Sequence, residues 1–196
     1  MTRQALMAVM YGPISYAHDD YRTIGELDLT RLPACLANQQ LILHHRLTTG
    51  IDPAWLEVPA LRRCIDRWSI LPRACFLLGA RRQRAKLIEM GRYARLDTGA
   101  QRFLCAPLAA SLAVRGPHES SDVAPVLAGL NMLAPLLARL PGALRQRLPL
   151  LFPHADRTDI ACALNSTSGM YAGRALALLR AVDHDEFLTT NTPPIG

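Results

Sequence analysis

Apolar residues along most of the chain recur at the three- and four-residue spacing that is typical of amphipathic helices. The pattern predicts a first helix from Leu32 to Leu47, with Leu32, Leu36, Leu43 and Leu47 on its buried face and Gly50 as its stop signal. Leucine and alanine, which favour helices, dominate the apolar positions, and β-branched residues are sparse. The hydrophobic pattern therefore favours an all-α class.

The central part of the chain carries the most regular pattern, in a helix that begins at Leu71-Pro72. On a helical wheel one face is apolar apart from Gln83 and holds Phe76, Ala80, Leu87, Met90 and Ala94. The opposite face is basic and holds Arg81, Arg84, Arg92 and Arg95, with Ile88 among them. Gly91 leaves two interpretations open: either it lies inside the helix, or it ends the helix and removes Arg92 and Arg95 from the stripe.

Further helices follow from capping residues and from apolar stripes. Asp52 and Pro53 predict a short turn, and Pro59 opens a helix that reaches Trp68. Asp97 is predicted to cap a helix whose inward residues are Phe103, Leu104, Leu108 and Leu112. Asp122 is predicted to cap a helix with the stripe Val126, Leu130, Leu133, Leu137 and Leu140, which Pro135 should kink or split. A last long helix is expected from Asp156 or Thr158 to Val182.

The whole chain, 1–196, is predicted to form a single compact multi-helix domain. The clearest loop is 115–121, which combines a Gly-Pro pair with a polar run, and it is the one plausible boundary of a small C-terminal helical lobe. The tail 189–196, rich in threonine and proline, is expected to be frayed.

The charge of the chain is basic, with a formal net charge of +6 that comes from 21 arginines, one lysine and 16 acidic residues. A basic balance permits an acidic protein partner, an anionic lipid surface or nucleic acid. Aromatic residues make up only 6% of the chain, which disfavours a base-stacking surface. A basic helical nucleic-acid-binding regulator is the main alternative to a protein-binding role, and a peripheral membrane binder is another.

A small helical enzyme is a further alternative, but candidate chemistry is sparse. The five cysteines contain no C-x-x-C pair, and Cys75, inside an apolar run, is interpreted as a core residue. His44 and His45 point about 100° apart on a helix and cannot chelate together, so one is expected to be half-buried and the other solvated. His154, Asp156 and Asp159 lack the spacing of a metal site. No catalytic residue, metal ligand or cofactor is predicted.

Three tyrosines, Tyr11, Tyr16 and Tyr21, recur at a spacing of five in the N-terminal 30 residues. They are interpreted as an irregular, partly packed lead-in to the first helix. A tyrosine-based binding surface is the alternative, because aromatic anchors are common at protein interfaces.

A longer pattern covers roughly residues 55–108: a tryptophan, then Leu71-Pro72, an apolar run into Gly79, a charged helix, and a second apolar run, Phe103-Leu104, after Asp97. The later segment L-P-L-L-F-P, 148–153, belongs to the same pattern. The chain in these stretches resembles the SctK family of bacterial type III secretion accessory proteins, whose members include YscK, PscK, OrgA and NolU.

The resemblance implies a non-enzymatic adaptor in the cytosolic sorting platform of a type III secretion system. Such a protein would bridge the cytoplasmic domain of the inner-membrane ring protein SctD to the pod protein SctQ. It would be cytoplasmic and held at the cytoplasmic face of the inner membrane through protein contacts. Independently of the resemblance, the helical wheel predicts that Arg81, Arg84, Arg92 and Arg95 contact an acidic partner.

Overall fold

The computed structural model describes residues 2–107, 123–165 and 172–183. Ten α-helices lie in these ranges: α1 (Thr2–Tyr11), α2 (Ala34–His44), α3 (Pro59–Asp66), α4 (Leu71–Arg82), α5 (Arg84–Glu89), α6 (Thr98–Cys105), α7 (Pro125–Leu137), α8 (Gly142–Arg145), α9 (Arg157–Asn165) and α10 (Ala172–Val182). Short 3-10 turns join several of them, and the two-residue strands β1 (Thr23–Ile24) and β2 (Leu27–Asp28) form an antiparallel hairpin. The predicted all-α class is confirmed. No helix in the described ranges is both long enough and apolar enough to cross a membrane.

The chain divides into two compact units, each built from two separate segments. The first unit comprises Met1–Leu71 and Leu137–Cys162, and the second comprises Pro72–Leu136 and Ala163–Gly196. The predicted lobe boundary at 115–121 and the predicted frayed tail at 189–196 lie outside the described residues.

In the first unit, α1 packs against α2, α3 and α8, and α2 packs on the 3-10 turn Pro13–Ser15. One cluster of buried residues fills the space around α2 and the hairpin: Ala17, Tyr21, Leu29, Ala37, Leu41, Leu47 and Leu150. Because its members come from both segments, residues near position 150 are needed to complete a core that begins near position 17.

Arg147 is a fully buried arginine in the first unit. Its Nη2 donates to the carbonyl of Met10 at 2.8 Å, and its Nη1 donates to the carbonyls of Ala143 at 2.6 Å and Thr48 at 2.9 Å. Met10 lies in the last turn of α1, where carbonyl groups have no helical N–H to pair with. A single side chain therefore satisfies three backbone carbonyls from three parts of the first unit.

The first predicted helix exists as α2, but only part of its predicted buried face is confirmed: Leu47 is buried and Leu32 half-buried, and both lie outside α2. Leu36 and Leu43 are exposed, whereas Ala37 and Leu41 are buried. This helix carries apolar residues on two faces, so periodicity could not choose between them. The small Ala37 side chain lies in the core, and the larger leucines remain at the surface.

In the second unit, α4 and α7 approach each other so closely that only glycine fits at two positions. A Cβ atom on Gly79 would lie 1.7 Å from the carbonyl oxygen of Pro125, and one on Gly129 would lie 1.7 Å from the carbonyl oxygen of Cys75. Glycine permits this backbone approach because it has no Cβ. On the α7 side, Leu130, Leu133 and Leu137 are buried, as the apolar stripe predicted.

The predicted cap of α6 is confirmed. An Asp97 side-chain oxygen accepts a hydrogen bond from the Ala100 N–H at 2.9 Å, and Phe103 and Leu104 are buried. The same carboxylate forms a bidentate ion pair with Arg73 of α4. Burial alone would raise the pKa of Asp97, but hydrogen bonds from Arg73 and Ala100 outweigh it, and the pKa lies below its ordinary value. Leu108 and Leu112, predicted to pack in this helix, and Asp122, predicted to cap the next one, lie outside the described residues.

The later helices differ from the predicted ones in their ends. The helix α7 continues through Pro135 and ends two residues later at Leu137, so Pro135 does not split the helix. One long last helix was predicted up to Val182. The structure has α9 at the beginning of that range and α10 at its end, and residues 166–171 between them lie outside the described ranges. In these two helices Ile160, Ala175, Leu178 and Val182 are buried, and Leu164 is half-buried.

Candidate functional site

The basic stripe predicted along one central helix is interrupted in the structure. The helix α4 ends at Arg82, and α5 begins after Gln83 and ends at Glu89. Gly91 follows with a φ of +64°, in the left-handed conformation that commonly ends a helix. The interpretation in which Gly91 ends the helix is therefore confirmed, and Arg92 and Arg95 do not continue the stripe of Arg81 and Arg84.

Arg81 and Arg84 take part in hydrogen bonds inside the second unit. Arg81 Nη1 donates to the carbonyl of Phe103, and Arg84 Nη1 donates to the carbonyl of Leu104 at 3.2 Å. Both carbonyls lie in the last turn of α6, where helical partners are absent and the helix dipole favours a positive charge. Burial, and then the charge of Arg84, lower the pKa of Arg81 below its ordinary value. These two arginines therefore cap α6.

Arg92 and Arg95 are exposed and, among the described residues, their side chains form no hydrogen bond or ion pair. Two large apolar residues of the same segment are also exposed, Ile88 at 52% and Met90 at 48%. We call the exposed set Arg84, Ile88, Met90, Arg92 and Arg95 the basic-apolar patch. Apolar side chains surrounded by arginines are the composition that protein interfaces favour.

The segment that carries the patch is anchored on the fold. The turn Tyr93–Arg95 packs against α5. Gln101 of α6 donates from Nε2 to the carbonyl of Leu96 at 2.9 Å, and the Tyr93 hydroxyl lies 3.2 Å from the Cys105 sulfur. The patch is therefore presented on a backbone that neighbouring side chains hold in place.

Cys64 and Cys75 are buried, whereas Cys35, Cys105 and Cys162 are exposed. Burial raises the pKa of the Cys64 and Cys75 thiols to about 12, so both remain protonated at neutral pH, and Cys75 is a core residue as predicted. His44 is exposed and His45 half-buried, as predicted for the pair. No group of three or more metal-ligating side chains lies together among the described residues.

A second surface feature is a cleft of about 420 Å³ in the first unit. It is lined by residues from three separated stretches of that unit, among them Tyr21, His44, His45, Arg46, His154 and Arg157. The ring of Tyr21 lies 5.4 Å from that of His45 and 5.8 Å from that of His154, measured between centroids. We call this the histidine cleft. From the sequence, the tyrosine and the histidines were considered in three unrelated stretches and the two arginines were not singled out, and no local pattern indicates that these residues meet.

The chain matches the model of the bacterial type III secretion apparatus protein family OrgA_MxiK over residues 6–184. Three relatives, each named oxygen-regulated invasion protein OrgA and each from a strain of Salmonella typhimurium, are 32% identical to it over 160 residues, which is 78% of this chain and 78% of each relative. No solved structure matches the chain. The resemblance to the SctK family that the sequence indicated is confirmed, and the chain belongs to the OrgA_MxiK family of bacterial type III secretion apparatus proteins.

Proposed function

We propose that this protein is a non-enzymatic adaptor of the cytosolic sorting platform of a type III secretion system. It bridges the cytoplasmic domain of an SctD-like inner-membrane ring protein to an SctQ-like pod protein. It is cytoplasmic, and protein contacts alone hold it at the cytoplasmic face of the inner membrane. The observation that carries the proposal is the basic-apolar patch, whose backbone is anchored and whose side chains, apart from Arg84, have no other role in the described fold.

The patch suits an acidic partner with an apolar anchor. Ile88 and Met90 offer apolar area for a partner side chain, and burial of such area contributes about 25 cal/mol per Å². Arg84, Arg92 and Arg95 add positive charge on the same exposed segment, which speeds association with an acidic surface and disfavours basic partners. Of the four arginines that the wheel assigned to a partner, Arg81 acts mainly inside the fold, so we assign the contact to the other three.

The test is reversal of Arg92 and Arg95 to glutamate. The double variant is expected to bind its partner at least about tenfold more weakly, because two charges change sign, a net change of about four units, at an interface that depends on complementarity. Binding of the full chain to the SctD-like cytoplasmic domain and to the SctQ-like protein is measured separately by isothermal titration calorimetry. Circular dichroism should show unchanged helical content, since neither side chain hydrogen-bonds within the described fold.

The matched control reverses Arg139 and Arg145, two exposed arginines of the first unit, and changes the net charge by the same amount. Equal loss of binding in both double variants would show a general charge effect and would remove the patch from the proposal. Reversal of Arg81 and Arg84 is a poorer test, because those side chains cap α6 and their loss should lower stability as well. Binding of the unaltered chain to neither partner, together with DNA binding that falls steeply with salt, would favour the nucleic-acid alternative.

A further inference from the structure

The floor of the histidine cleft contains a polar group that the fold leaves without a partner. Tyr21 is only 3% exposed, and its hydroxyl oxygen is buried with no hydrogen-bond partner in the described part of the chain. A buried hydroxyl without a partner is costly, and most such groups in native proteins are satisfied. The side chain lines the cleft, so a ligand there could accept the missing hydrogen bond.

The rim of the cleft contains a second residue that the fold alone does not favour. Arg46 follows α2 and has a φ of +50°. Its N–H donates to the Leu43 carbonyl at 3.1 Å, and the N–H of the next residue, Leu47, donates to the Ile42 carbonyl at 2.9 Å. This is the Schellman geometry, in which glycine is usual because a Cβ is strained in the left-handed region.

The same geometry recurs after α5, where the chain does use glycine. The Arg92 N–H bonds to the Leu87 carbonyl at 2.8 Å, and the Gly91 N–H bonds to that of Ile88 at 3.0 Å, with Gly91 at the left-handed position. The ends of α2 and α5 thus have the same backbone geometry, with Arg46 at the left-handed position of one and Gly91 at that of the other. Of these two residues, only Arg46 lines the cleft.

Two arginines supply the positive charge of the cleft. Arg46 and Arg157 are exposed and form no side-chain hydrogen bond or ion pair within the described ranges. Burial, together with His44, Arg157 and His154, lowers the pKa of His45 to about 4, so this ring is neutral at pH 7. Burial raises the pKa of Tyr21, which keeps its hydroxyl protonated and able to donate. Two carboxylates also lie near Tyr21: Asp20 lines the cleft and accepts from the backbone N–H of His154 at 2.8 Å, and Asp156 is close enough to contribute to the raised pKa of Tyr21.

We propose that the histidine cleft binds an aspartate or glutamate side chain of a protein partner, with Tyr21 donating from the floor and Arg46 and Arg157 pairing from the rim. The bidentate geometry of a guanidinium suits a carboxylate, and the buried hydroxyl supplies a directional contact. The inference rests on the proposed function for the identity of the partner, which is one of the two secretion proteins named there. The cleft lies in the first unit and is a different surface from the basic-apolar patch of the second.

The experiment uses two variants that should weaken binding without weakening the fold. Tyr21→Phe removes only the unpartnered hydroxyl and is expected to raise the Tm by about 2–4 °C. Arg46→Gly puts the usual residue at the left-handed position and is expected not to lower the Tm. Both should bind the partner about tenfold more weakly in calorimetry of the full chain.

Two control variants match them in chemistry. Tyr16→Phe removes a hydroxyl that donates to the Val9 carbonyl at 2.9 Å, so it should lower the Tm and leave binding unchanged. Arg31→Ala removes an exposed arginine that does not line the cleft. If Tyr21→Phe and Arg46→Gly bind both secretion proteins as the unaltered chain does, the inference is overturned and the proposed function stands.

A fluorescein-labelled octaglutamate peptide tests the cleft without the secretion proteins. Fluorescence anisotropy should show binding to the full chain that both cleft variants lose and both control variants keep. Equal peptide binding by all variants would contradict the inference even if the proposed function failed. Complete displacement of the peptide by equimolar inorganic phosphate would assign the cleft to small anions and would likewise overturn it.

Discussion

At the scale of single residues, Arg147 stabilises the fold through buried hydrogen bonds that could not be predicted from the sequence. It is one of 21 arginines in a basic chain, and sequence reasoning gave it no role. The structure buries it completely and pairs its guanidinium with the carbonyls of Met10, Thr48 and Ala143. Burial lowers its pKa, and the nearby tyrosines Tyr16 and Tyr11 oppose that shift. Three carbonyls of the first unit depend on this one side chain.

Replacement of Arg147 by methionine, which keeps much of the side-chain length, should destabilise the protein strongly. Each buried acceptor left unpaired costs about 1–3 kcal/mol, so we expect a loss of at least ~3 kcal/mol in the free energy of unfolding. Urea denaturation followed by circular dichroism measures it. Arg145→Met is the control, because Arg145 lies two residues earlier and is exposed. Similar losses in the two variants would contradict the role given to the buried guanidinium.

Predictions for single residues were correct where the hydrogen-bond partner of the residue lies close to it in the sequence. Asp52 and Asp97 accept hydrogen bonds from backbone N–H groups two or three residues later, so sequence spacing alone located both caps. The partners of Arg147 and the surroundings of Tyr21 are set by packing between distant stretches. No local pattern carries that information, and the candidate cleft was therefore missed.

At the scale of elements, the second unit is organised around the crossing of α4 and α7. Gly79 and Gly129 let the two backbones approach until each position faces a carbonyl oxygen of the other helix. The apolar run into Gly79 was part of the pattern that indicated the family. The crossing supplies the physical reason for glycine at that point of the run.

A methyl group at Gly79 should push the two helices apart. The Cβ of Gly79→Ala would meet a backbone oxygen at 1.7 Å, which cannot move like the end of a flexible side chain. We expect a loss of about 3 kcal/mol or more, at the upper end of overpacking effects, measured by thermal or urea unfolding. Gly173→Ala is the control. Gly173 lies inside α10, a Cβ there meets nothing within 4 Å, and alanine should stabilise the helix by up to about 1 kcal/mol. Stabilisation by both substitutions would rule out the close crossing.

The existence of most helices was predictable, and their buried faces were less so. The helices after Pro59 and Asp97 lie where proline and aspartate signals put them. In α2, apolar residues on two faces made periodicity ambiguous, and the exposed Leu36 and Leu43 were assigned inward. The wheel also treated α4 and α5 as one helix, because a break after Arg82 depends on packing, including the hydrogen bond from Gln83 Nε2 to the Val123 carbonyl.

At the scale of the whole molecule, each unit draws on both halves of the sequence. The chain leaves the first unit after Leu71, returns to it at Leu137 and leaves it again after Cys162. We propose that the chain nevertheless folds as one cooperative domain, as the sequence analysis expected, because each unit is built from two segments that are separated in sequence by part of the other unit.

Truncation tests this proposal. The fragment 1–136 lacks the return segment, and with it Arg147 and Leu150, so the core of the first unit should not form. We expect the full chain to unfold in a single transition by circular dichroism, and the fragment to show no cooperative transition. A fragment that melts cooperatively, or a full chain with two separate transitions, would argue for independent units.

The hydrogen bond from Arg147 to the Met10 carbonyl spans 137 positions of sequence. Ribosomes add about 5–20 residues per second, so the end of the first helix waits on the order of ten seconds for its partner to be made. During that interval the N-terminal stretch is a nascent chain with an incomplete core, exposed to chaperones and proteases. The first unit, which contains the N-terminal segment, can therefore be completed only late in synthesis, when the segment that carries Arg147 has been made.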